Sequence, residues 1–69
     1  MEEIRGVLER VTFHNSENGY VVARVRPTDG KEAVAFVGYL HSPLIGEELK
    51  FKGEWTTHPK FGRQFQFSS

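Results

Sequence analysis

The stretch Leu49-Lys50-Phe51-Lys52-Gly53-Glu54-Trp55-Thr56-Thr57-His58-Pro59-Lys60-Phe61-Gly62-Arg63-Gln64-Phe65-Gln66-Phe67 decides the fold class. Leu49, Phe51, Gly53 and Trp55 share one face of an extended chain, and Lys50, Lys52 and Glu54 share the other. Such a period of two marks a half-buried strand. Arg63 to Phe67 alternates again, with Phe65 and Phe67 inward. Between the runs, Pro59 disfavours helix at His58, and Gly62 lets the chain reverse. The stretch reads as two strands joined by a loop.

The same period continues toward the N-terminus. From Tyr20 to Arg26, Val21, Ala23 and Val25 fall on one face, with Tyr20, Val22, Arg24 and Arg26 on the other. Glu32 to Val37 is apolar on both faces, as in a central strand or a barrel wall. The first strand runs from about Glu3 to Phe13, and its apolar phase changes from Ile4 and Leu8 to Val11 and Phe13. A bulge or sharp coil near Gly6 to Glu9 would switch the phase. Asn18-Gly19 signals a hairpin, and Pro27-Thr28-Asp29-Gly30 a turn. Tyr39 to Gly46, with Pro43, has room for one helical turn at most.

Five short strands with a break after the third predict an all-β, five-stranded OB-like barrel. An OB-fold usually has a helix in that break, and only about eight residues stand there, so an SH3-like barrel is the alternative. Residues 1–69 are read as one domain. The chain stops within or just after the fifth strand, so we expect an excised piece of a longer protein.

Composition narrows the function. A chain of 69 residues buries only about 60% of the surface its unfolded form exposes, which makes stability marginal. It has no cysteine, so it has neither a disulfide staple nor a thiolate metal site. The apolar runs are too short to span a membrane, and the acidic start Met1-Glu2-Glu3 is unlike a secretory signal; a cytoplasmic protein is expected. Nine basic residues balance nine acidic ones, which argues against strong autonomous binding to nucleic acid, since neutralised phosphates supply most of that affinity. The distribution is uneven. Residues 50–63 hold Lys50, Lys52, Lys60 and Arg63 against Glu54, whereas residues 32–49 hold Glu32, Glu47 and Glu48 with no base.

Three separated motifs carry a family resemblance. Thr12-Phe13-His14-Asn15 with Glu17-Asn18-Gly19-Tyr20 is the first. Gly38-Tyr39-Leu40 with Pro43 and Gly46-Glu47 is the second. The third spans Gly53 to Phe65 and places Trp55, His58-Pro59, Phe61-Gly62 and Gln64-Phe65. In this order and spacing they resemble the N-terminal domain of RecD-like DNA helicases (the RecD/TraA group), over nearly the whole chain. The resemblance implies an OB-like domain ahead of an ATP-dependent motor that unwinds DNA with 5′ to 3′ polarity in repair or recombination. It also implies the rest of the helicase chain as partner, with ATP and Mg²⁺ expected for the motor. No G-x-x-x-x-G-K-[ST] phosphate loop occurs in these 69 residues, so no cofactor is expected here and no catalysis.

Histidines 14, 41 and 58 lie in predicted loops with no metal-ligand spacing; His58 reads as a residue that shapes its loop by local hydrogen bonds. No serine sits in a nucleophile elbow. The nine aromatics are the better lead. Phe13, Phe51, Trp55, Phe65 and Phe67 are assigned to the core, with the Trp55 indole N–H reaching a loop carbonyl. Tyr20 shares a face with Arg24 and Arg26, and Phe61 lies between Lys60 and Arg63. Aromatic and basic side chains together stack bases and track phosphates, and OB-folds bind strands over their second and third strands and adjoining loops. Tyr20, Arg24, Arg26, Lys60, Phe61 and Arg63 are therefore the candidate residues for single-stranded DNA. A structural reading competes: Arg24 and Arg26 pair with Glu32, and Phe61 plugs a barrel mouth. Other functions consistent with the sequence are a module binding protein along a strand edge and an RNA-binding barrel.

Overall fold

The structure, a computed structural model, describes residues 1–30 and 32–68. Five strands account for most of them: β1 (Glu2–His14), β2 (Tyr20–Pro27), β3 (Val34–Tyr39), β4 (Glu48–His58) and β5 (Gly62–Phe67). They close into a barrel in the order β1-β2-β3-β5-β4, with β4 returning to β1. A sequential meander would have set β3 beside β4. Instead β3 runs parallel to β5 through Phe36–Phe65 and Val37–Gln66, and β1 pairs with both β2 and β4. That order is the OB-type barrel and not the SH3-like alternative.

The alternation read from the sequence builds the core. Leu8, Val21, Ala23, Val25, Phe36, Phe51, Phe65 and Phe67 are buried, with Ile4, Val11, Val34, Leu40, Leu49 and Trp55 packed against them. Phe36 is the hub: its ring lies 4.9 Å from those of both Phe51 and Phe65. At Gly53 the walls come together so tightly that a Cβ would sit 2.0 Å from the Gln66 carbonyl oxygen. Only glycine fits there, and its appearance on the inner face of β4 follows from that approach.

The long first strand is bent by two irregularities. Its pairing with β2 slips between Leu8 and Arg10 and again between Val11 and Phe13. The first slip lies at the expected phase change; the second was not anticipated. At each, two residues of β1 stand opposite one of β2, so Glu9 with Arg10, and Thr12 with Phe13, are all exposed. Phe13 is consequently not core, as alternation from Val11 predicted, but 53% exposed on the outer wall.

Other expectations shift in detail. β3 begins at Val34, two residues later than the sequence pattern. The β1–β2 hairpin is longer than a two-residue turn: Asn15 N–H donates to the Tyr20 carbonyl (2.8 Å), and Gly19 takes positive φ while Asn18 does not. The Asn18 side chain instead accepts from Tyr20 N–H at 2.9 Å. Pro27 to Gly30 forms the expected turn, closed by Gly30 N–H on the Pro27 carbonyl at 3.0 Å.

The segment 40–47 contains no helix. It crosses one end of the barrel on backbone hydrogen bonds: Leu40 N–H to Gly19 O (2.7 Å), Gly46 N–H to Leu8 O (2.6 Å) and Leu8 N–H to Glu47 O (3.0 Å). Leu40 packs on the core, while Leu44 and Ile45 remain exposed.

Candidate nucleic-acid interface

The outer wall formed by the second half of β1, β2 and β3 is unusually aromatic. Register sets it: Phe13 lies opposite Val22, Tyr20 opposite Tyr39, and Arg24 opposite Ala35. Residues paired across an antiparallel ladder point to the same face. The Tyr20 ring is 6.1 Å from Phe13 and 5.6 Å from Tyr39, making a continuous ridge. Tyr39 is 63% exposed.

The β4–β5 loop faces this ridge. The His58 ring nitrogen Nδ1 accepts hydrogen bonds from the backbone N–H groups of Lys60 (3.0 Å) and Phe61 (3.1 Å). An accepting Nδ1 puts the ring proton on Nε2. The local role read for His58 from the sequence is therefore the observed one. Its ring also packs against Phe61 at 4.7 Å between centroids. Phe61 is held upright and 69% exposed, so it does not plug a barrel mouth. Lys60 Nζ lies 5.7 Å from the centre of the Phe61 ring.

Loop and wall enclose a groove of about 450 Å³, lined by Thr12, Phe13, Tyr20, Val22, Arg24, Ala35, His58, Phe61 and Gln64. The structure thus brings Tyr20, Arg24 and Phe61 together, with Lys60 at the edge. Arg26 does not line the groove: it engages the Glu9 carboxylate through Nε, and through Nη2 at 3.3 Å. The hydrogen bond to Glu9, and after it the Glu9 charge, raise the Arg26 pKa above its ordinary value. Arg63 is absent from the groove as well. It continues the inward phase of Phe65 and Phe67, and its guanidinium lies 4.1 Å from the centre of the Trp55 ring. Trp55 stands at a barrel end, half-buried, with its ring 5.2 Å from Phe65. The expected bond from its indole to a loop carbonyl is not found among the described residues.

The expected pairing of Arg26 with Glu32 is secondary: the Glu32 charge acts on Arg26, behind that of Glu9. Arg26 takes Glu9, and Arg24 Nη2 donates to the Ala33 carbonyl at 3.2 Å. Arg10, Thr12, Phe13, Tyr39 and Gln64 were not among the candidates drawn from the sequence. A signal for three of them was present: Leu8, Val11 and His14 recur every third position, too widely for unbroken alternation. Each extra residue is a bulge that turns its neighbours outward.

A larger hollow, about 790 Å³, opens at the Trp55 end of the barrel. Glu2, Glu3, Asp29 and Glu32 line it, with Arg5 the only base among the described residues. Among the described residues no group of three or more His, Asp or Glu is placed to hold a metal ion. Among the described residues, no helix is long and apolar enough to cross a membrane.

Exposed rings beside a guanidinium are the groups on which a nucleic-acid strand can stack. Comparison with solved structures finds no match. The family model describing the OB-fold domain of the ATP-dependent DNA helicase YrrC matches residues 1–69, and the chain belongs to that family.

Proposed function

We propose that this barrel is the accessory N-terminal domain of a RecD-like, ATP-dependent 5′ to 3′ helicase of DNA repair or recombination, working in the cytoplasm. It packs against the motor and offers its outer wall to single-stranded DNA. ATP and Mg²⁺ belong to the motor, since these 69 residues contain no phosphate loop. The observation that carries the DNA reading is the ridge Phe13–Tyr20–Tyr39 facing Phe61 across a groove that also holds Arg24. Bases stack on such rings without sequence preference, and net neutrality keeps the contact weak enough for a moving motor to slide past. Leu44 and Ile45, exposed on the 40–47 loop, supply an apolar contact for the motor away from the ridge.

Fluorescence anisotropy of labelled single-stranded DNA, at low and moderate salt, tests this. Saturable binding that weakens with salt is expected. Phe61→Ala should weaken it by about 1–3 kcal/mol, the contribution of one stacked base, with an unchanged melting curve. Absence of binding at tens of micromolar protein and low salt would leave the barrel as a docking module alone.

A further inference from the structure

Arg10 and Arg24 stand directly opposite each other across the β1–β2 ladder, both exposed. Like charges in this position repel and cost stability. Neither makes an ion pair among the described residues. Glu9, the neighbour of Arg10 in the chain, is occupied by both ends of the Arg26 guanidinium. The bulge that turns Arg10 outward also turns Glu9 outward, yet the acid partners Arg26. Arg24 is oriented by its bond to the Ala33 carbonyl and lines the groove beneath Phe61.

A second opposed pair provides a contrast. Arg5 faces Lys50 across β1 and β4, but Glu3 and Glu48 flank them on the same wall and no aromatic is adjacent. Repulsion there is offset by neighbouring carboxylates. At Arg10–Arg24 the adjacent acid, Glu9, is engaged by Arg26 instead, and the aromatic ridge begins alongside.

We propose that the Arg10–Arg24 pair is a phosphate clamp, seating one phosphodiester of a single strand whose adjoining base lies in the groove under Phe61. An anion between the guanidiniums converts a repulsive pair into a charge-assisted, hydrogen-bonded one. The inference rests on the single-strand reading above and adds to it the residues that hold the backbone and fix its position.

The test compares binding of labelled oligo-thymidylate by the wild type, Arg10→Gln, Arg10→Gln/Arg24→Gln and Lys50→Gln across a salt series, with DNA-free melts of each. Every phosphate left unneutralised should lower the slope of log affinity against log salt by about 0.7 for a single strand. The clamp seats one phosphate, so the slope should fall by about 0.7 for the double variant and by part of that for Arg10→Gln, by the same rule. Lys50→Gln should keep the wild-type slope. The Arg10→Gln melt should sit at or above the wild-type temperature, because repulsion is relieved. Wild-type slopes in the arginine variants would overturn the clamp and leave the single-strand reading intact. A lowered Arg10→Gln melting temperature would make the pair structural and overturn it too. No binding by the wild type would remove both.

Discussion

Replacing Phe36 by alanine removes the centre of the barrel. The side chain is fully buried, and its ring makes an edge contact with Phe51 at 69° and a tilted one with Phe65 at 42°. Phe→Ala in a core costs about 3–5 kcal/mol, more where the surroundings cannot collapse. Here they cannot, because Phe36 sits on a wall paired to β2 on one side and β5 on the other. We expect the upper end of that range. At roughly 0.05–0.15 kcal/mol per residue, a chain this size has roughly 3–10 kcal/mol of stability in total, so Phe36→Ala should be largely unfolded in water. Phe36→Leu gives a measurable companion: three fewer carbons at about 0.8 kcal/mol each predict a loss of roughly 2 kcal/mol. Urea denaturation followed by fluorescence of Trp55, the sole tryptophan, reads both. With a slope of about 1 kcal/mol per molar urea, the leucine midpoint should fall by roughly 2 M. A Phe36→Ala protein with a cooperative transition within about 1 M of the wild type, at an unchanged slope, would refute the hub argument.

Trp55→Ala should lose only about 2 kcal/mol, roughly half of a full core deletion, because Trp55 is half-buried; a variant unfolded in water would show that Arg63 and Phe65 hold it more firmly than its exposure indicates. Gly53→Ala should cost about 3 kcal/mol, the high end for overpacking, since the added carbon meets backbone of β5; denaturation within about 0.5 kcal/mol of the wild type, the range of a neutral surface change, would mean the barrel can open there. His58→Ala should release the amides of Lys60 and Phe61 and lower stability by about 1 kcal/mol; hydrogen exchange of those two amides should speed up, and unchanged protection would show that the loop is held by other contacts.

The strands themselves were legible in the sequence because alternation is a local property. Val21, Ala23 and Val25, or Phe51 and Gly53, state which face is buried without any partner being known. The barrel was legible for a related reason: a first strand with two apolar phases can serve two neighbours, and β1 pairs with β2 and β4. His58 was legible too, since its bonds reach only two and three residues along the chain.

What tertiary structure alone decided is which strands touch and which way the bulged residues face. No local pattern indicates that β5 lies beside β3, and the choice between OB-type and sequential barrels turns on that contact. Phe13 shows the limit most clearly. Strict alternation from Val11 buries it, but the second slip against β2 turns it out beside Tyr20, because pairing register is a property of two strands. The same holds for the charges. Composition counts nine bases and nine acids; only the packed barrel assigns Glu9 to Arg26, lays Arg63 on Trp55, and leaves Arg10 facing Arg24 at the edge of the aromatic ridge.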